Sequence, residues 1–170
     1  MADSSQSNLK EIKAGILKKD ACVVIIRTAW NAPVVDILET GALAKLREAG
    51  IKRISTHTVP GAFELPFAVR QVWEKAPRKS KPDAIIVLGC VIRGDTPHFD
   101  YVCRAVTDGV LQLNLTLPVP VIFGVLTVDD TKQAEDRAGG KHGNKGEEFA
   151  LTALNMIQWA FPRNRKKSSK

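Results

Sequence analysis

Cysteine is scarce and scattered in this chain of 170 residues: Cys22, Cys90 and Cys103 sit in apolar segments, with no CxxC pair and no ligand-like spacing nearby. A disulfide framework and a cysteine metal site are therefore not expected, and the three read as reduced core thiols. No apolar run approaches membrane-spanning length and no signal-peptide pattern opens the chain, which points to a cytoplasmic protein. Neither GxGxxG nor a Walker A loop occurs, so the common dinucleotide and nucleotide fingerprints are missing. Internal repeats are absent too. Positive charge is in excess, +7 at neutral pH, but Arg163, Arg165, Lys166, Lys167 and Lys170 crowd the extreme C-terminus. The body of the chain is close to neutral, and its end reads as a disordered basic tail. No aromatic interleaving or nucleic-acid motif accompanies that tail, so nucleic-acid binding is not expected.

What is present is an alternation of buried strands and amphipathic helices. Ala21 to Ile26 and Ala84 to Ile92 are continuously apolar and rich in branched residues, the pattern of strands covered on both faces. Ile51 to Val59 reads as a shorter strand, and Val121 to Leu126 as a fourth. Between them, Val34, Leu38, Ala42 and Leu46 recur at helical spacing, with Asn31 as the expected cap and Gly50 as the stop. A second helix is expected from about Phe63 to Lys75. A third follows Thr96 and Pro97, placed as N-cap and first helical residue, with Phe99, Val102, Cys103, Val106, Val110 and Leu113 on one face. Asp129 is the expected cap of a short helix through Arg137, and a last helix starts near Glu147 after a flexible glycine-rich loop, 139–146. This predicts a three-layer α/β/α sandwich on a four-stranded parallel sheet, flavodoxin-like, with right-handed crossovers. One domain, 20–161, is flanked by an N-terminal arm, 1–19, and the tail, 162–170.

Parallel sheets of this kind bind ligands at the carboxyl ends of their strands. Those ends gather Trp30-Asn31, Ala62-Phe63-Glu64, Ile92 to His98, and Thr127. Trp30 and Phe63 suit a planar ring, and Glu64 suits hydroxyls; taken singly, they also read as rim packing and a first-turn acid favoured by the helix dipole. His98 opens a helix whose N-terminus attracts anions, although a capping turn with a solvated histidine would look the same. Arg137 and Lys145 lie beside the glycine-rich loop, where they read either as anion ligands or as solvated charges.

Read together, VPGAFELP (59–66), GCVIRGDTPHFDYV (89–102), PVIFGVLT (120–127) and QAEDRAGGKHGNKGEE (133–148) resemble the lumazine synthase family. The likeness runs from about Cys22 to Ile157, with the four motifs in family order and spacing. It implies the penultimate step of riboflavin synthesis: 5-amino-6-ribitylamino-uracil condenses with 3,4-dihydroxy-2-butanone 4-phosphate to 6,7-dimethyl-8-ribityllumazine, releasing phosphate and water. No metal or organic cofactor is implied. By the same resemblance Trp30, where phenylalanine is more usual, stacks on the pyrimidine. Ala62, Phe63 and Glu64 hold the ribityl chain, while Val91 and Ile92 line the ring. His98 transfers protons, and Gly94, Asp95, Thr96 and Arg137 take the phosphate. Phe123 and Lys145 complete the site, which in this family lies between subunits of a five-membered ring.

Two positions depart from the family pattern: Ala29 stands for a usual arginine and Asn155 for a usual glutamate before Met156, changes that bear on assembly more than on chemistry. The short 139–146 connection favours twelve rings closing into an icosahedral shell over free pentamers or decamers. Two other classes share the pocket or the assembly: a weakly active flavin- or lumazine-binding paralogue, and a scaffold whose tail recruits an acidic partner such as riboflavin synthase. The presence of both His98 and Arg137 favours the enzyme.

Overall fold

A computed structural model describes Leu17 and residues 20–162. The rest of the expected N-terminal arm and the basic tail beyond residue 162 lie outside the described residues.

The chain alternates as expected: β1 (Cys22–Thr28), α1 (Ala32–Glu48), β2 (Arg53–Val59), a 3₁₀ turn (Ala62–Glu64), α2 (Leu65–Lys75), β3 (Ala84–Ile92), α3 (His98–Thr116), β4 (Val121–Val128) and α4 (Thr131–Arg137). A small hairpin, β5 (Ala138–Gly140) with β6 (Gly143–Asn144), then leads into α5 (Lys145–Ala160). All four long strands run parallel in the order β2-β1-β3-β4. No helix among the described residues is long and apolar enough to cross a membrane.

Side-chain alternation explains why β3 is apolar without a break. Ala84, Ile86, Leu88 and Cys90 point into a core shared with α1, α4 and α5, whereas Ile85 and Val87 point into a second core with α2 and α3. Both faces are sealed, so polar residues have no place on this strand until it ends. Asp83 enters just before it; its carboxylate accepts the Cys22 N–H at 2.9 Å, fixing the starts of β1 and β3 against each other. β2 is different. It lies at the sheet edge and is mostly exposed, which accounts for its polar sequence.

Three expected boundaries shift, each for a local reason. Asp130, not Asp129, caps α4, accepting the Gln133 N–H at 2.8 Å, because the Asp129 carboxylate is engaged by Arg93. Helix α3 begins at His98, with Pro97 as the flanking residue and Thr96 Oγ1 a long 3.4 Å from the His98 N–H. The helix expected from Phe63 opens as the 3₁₀ turn before α2 takes over at Leu65.

The 139–146 segment is the larger correction, because it is a built hairpin rather than a flexible loop. Asn144 organises it: the side-chain oxygen accepts the Gly146 N–H at 2.8 Å and caps α5, which starts at Lys145 rather than Glu147, and Nδ2 donates to the Ile37 carbonyl at 3.0 Å. Here α5 lies so close to α1 that a Cβ on Gly146 would run into the Leu38 carbonyl. Gly146→Ala should therefore destabilise by about 1–3 kcal/mol, read as a lower urea midpoint at unchanged slope. An unchanged midpoint would contradict this close approach.

Candidate active site

The β1–α1 turn is tied to both neighbouring strands. Ala29 and Trp30 donate backbone N–H groups to Val59 and Pro60 at 2.8 and 3.1 Å, and Asn31 Nδ2 reaches the Cys90 carbonyl at 2.8 Å. Asn31 adopts the left-handed conformation, φ 56°, at the start of α1 and makes no side-chain cap. Its expected capping role is thus replaced by a cross-strand tie to β3. The consequence is a fixed platform from which Trp30 projects with 72% of its surface exposed.

Opposite Trp30, the turn after β2 presents Ala62, Phe63 and Glu64. One Glu64 carboxylate oxygen accepts the Gly61 N–H at 2.9 Å, and the Glu64 N–H donates back to the Gly61 carbonyl at 3.3 Å. This reciprocal box sets the direction of the carboxylate while leaving it lone pairs for a ligand. Phe63 is mostly exposed. Together with the end of β3 and the start of α3, these residues enclose a cleft of about 740 Å³, the size of a small-molecule site.

Trp30, Ala62, Phe63, Glu64, Val91, Ile92, Gly94, Thr96 and His98 all line this cleft. His98 is the first residue of α3, and no hydrogen bond holds its ring among the described residues. It stands where the helix dipole and the open N–H groups favour an anion. The Cys90 thiol is pushed up to about 11 by burial, so it stays protonated and is no nucleophile at neutral pH.

Four expected residues stand apart from the cleft within one chain. Asp95 is exposed on the turn but does not line it. Phe123 packs into the α2–α3 side core from β4. Arg137 ends α4, where it donates to the Gln133 carbonyl at 2.9 Å, and Lys145 starts α5 paired with Glu148 at 2.8 Å. The chain therefore supplies an aromatic, hydroxyl-binding half with one imidazole and an anion-favouring helix end. The cationic residues expected with it lie elsewhere.

The sequence reading missed the Asn31 tie and the ion pairs of Arg93, which donates to Asp129 at 2.9 Å and to Asp100 at 3.2 Å. The bond from Arg93 holds the Asp129 carboxyl below its usual range. Cys90 and Asp129 are distant in sequence from Asn31 and Arg93, and the turn between Arg93 and Asp100 interrupts any periodic spacing, so neither gave a signal.

Comparison with known proteins agrees with the motifs. The family model described as 6,7-dimethyl-8-ribityllumazine synthase matches residues 20–160. A 6,7-dimethyl-8-ribityllumazine synthase of Bacteroides fragilis (strain YCH46) is 51% identical over 143 residues, covering 83% of this chain and 97% of the relative. Proteins of the same name from Parabacteroides distasonis and Porphyromonas gingivalis are 48% and 50% identical over 80% and 81% of this chain, and 84% of each relative. With its parallel sheet, its strand-end cleft and this extent of identity, the chain belongs to the 6,7-dimethyl-8-ribityllumazine synthase family.

Proposed function

We propose that the cleft condenses 5-amino-6-ribitylamino-uracil with 3,4-dihydroxy-2-butanone 4-phosphate to give 6,7-dimethyl-8-ribityllumazine, phosphate and water. The observation that carries this reading is the convergence, in one cleft, of an exposed indole, a carboxylate with free lone pairs, an imidazole and a helix N-terminus. Each matches a part of the two substrates. Trp30 stacks on the pyrimidine, and Glu64 accepts from ribityl hydroxyls beside Ala62 and Phe63. Val91 and Ile92 border the ring. The backbone of the turn Gly94-Asp95-Thr96 and the N-terminus of α3 receive the phosphate, with the Asp95 side chain outside the cleft.

The pyrimidine amine condenses with the ketone to an imine with loss of one water, phosphate is eliminated, and ring closure of the ribitylamino nitrogen on the remaining carbonyl expels a second water. His98 moves protons in these steps, because an imidazole exchanges them near neutral pH. Holding two reactants in register supplies most of the acceleration.

A phosphate needs a cation, and Arg137 of the same chain does not line the cleft. We assign that role to Arg137 of a second copy in a homo-pentamer, together with its Phe123 and Lys145. Exposed apolar side chains on α2 and α3, Phe67, Tyr101, Leu111 and Leu115, support association, since a monomer gains nothing by leaving them in water. The short hairpin between α4 and α5 favours twelve pentamers closing into a shell, in a cytoplasmic enzyme.

Arg137→Ala should lower kcat/KM about 100-fold by leaving the phosphate charge unpaired. His98→Ala should cost about tenfold or less, because proximity is retained. The assay is lumazine formation by absorbance and fluorescence, with the uncatalysed rate subtracted; equal, negligible losses would refute both roles. In light scattering the chain should run as a shell-sized particle. A free ring would overturn the shell, and a monomer the shared site.

A further inference from the structure

Residues 93–97 carry Gly94 and Thr96 into the cleft and deliver His98 to it, yet they belong to no regular element. Among the described residues Asp95 has no hydrogen-bond or ion-pair partner within the chain. Pro97 has no N–H to give, and Thr96 offers only the 3.4 Å contact to the His98 N–H. Arg93 is the exception. Its backbone N–H donates to the Val128 carbonyl at 2.9 Å, Nε donates to Asp129 at 2.9 Å, and a terminal nitrogen donates to Asp100 at 3.2 Å. The guanidinium also lies over the Phe99 ring, 4.1 Å from its centre.

Arg93 thus joins three places: the exit of β3, the first turn of α3, where its guanidinium meets Phe99 and Asp100, and the exit of β4, where its backbone N–H holds Val128 and its guanidinium holds Asp129. The connection extends to α4, because the Asp129 N–H donates to Gln133 Oε1 at 3.2 Å and the Gln133 carbonyl accepts from Arg137 at 2.9 Å. We infer that Arg93 is a positioning residue for the condensation: by clamping the first turn of α3 to the end of β4 it aims His98 and the 94–96 turn into the cleft. This rests on the reading of the cleft given above, in which that turn receives the phosphate and His98 moves protons.

The clamp is exposed to solvent. All three charged side chains keep 45% or more of their surface in water, and ion pairs of that kind contribute little to global stability. Its effect is therefore on geometry. Guanidinium is suited to this in a way ammonium is not, because its fork serves two carboxylates at fixed angles while its plane stacks on a ring.

Arg93→Ala should lower kcat/KM by about 10- to 100-fold, the loss expected from misplacing a reacting group by about an ångström. The loss should divide unevenly: kcat falls and KM for the four-carbon phosphate rises, whereas KM for the pyrimidine stays within about twofold, since Trp30, Phe63 and Glu64 have no bond to Arg93. Unfolding midpoint and particle size should not move. Arg93→Lys should recover part of the loss, and adding Arg93→Ala to His98→Ala should reduce kcat no further than His98→Ala alone. A merely structural role would lower the midpoint and leave both KM values and the rate per folded subunit unchanged. That result, or equal rises in the two KM values, would overturn the inference. A negligible effect of His98→Ala alone would instead refute the proton-transfer role, while the KM split would still report whether Arg93 sets the phosphate-facing turn.

Discussion

Burial of β1, β3 and β4 on both faces of the parallel sheet is the constraint from which the rest follows. With α1, α4 and α5 closing one side and α2 and α3 the other, the three inner and outer strands β1, β3 and β4 have almost no polar side chains between their ends. Polar chemistry is thereby pushed to the strand termini. At the amino ends it serves structure, as in the bond from Cys22 to Asp83. At the carboxyl ends it lines a cleft: three successive strands release Trp30, the Ala62–Glu64 turn and the 93–98 segment at one level, where they meet.

Much of this was legible along the chain because it depends on local repetition. The unbroken apolar runs of β1 and β3 reveal burial on two faces, and the four-residue recurrence of Val34, Leu38, Ala42 and Leu46 reveals the face of α1 that reaches the core. Alternation of such segments then implies parallel strands, and parallel strands imply where a ligand binds. That logic places Trp30, Phe63, Glu64 and His98 at one cleft from the sequence alone. Their chemistry could not be assigned singly, since each has an ordinary structural use, and it is the four motifs in family order that favour the roles proposed for them.

What escaped the sequence is held by contacts between distant residues. Nothing near Asn31 announces that its amide serves the Cys90 carbonyl instead of capping α1, and nothing near Arg93 names Asp129. Residues 139–146 read as a flexible loop because glycine dominates them, yet they fold as a hairpin leading into α5. At its end and on α1 glycine answers a different need: a Cβ on Gly146 would meet the Leu38 backbone, and one on Gly41 would meet the Asn144 side chain. Glycine permits freedom in one setting and close packing in another, and composition does not distinguish them.

The separation of Arg137 from the cleft within one chain is the observation behind the proposed site shared between subunits. It can be tested by complementation. One variant carries Arg137→Ala; the other carries Trp30→Ala with His98→Ala; the two are refolded together in equal amounts and assayed for lumazine formation. If each site takes its cleft from one subunit and its arginine from the next, random rings contain intact sites at about a quarter of their interfaces. Activity should then rise well above that of either parent, towards a quarter of the unmodified protein. A mixture no more active than the mean of its parents, at the same particle size, would contradict a site built from two chains.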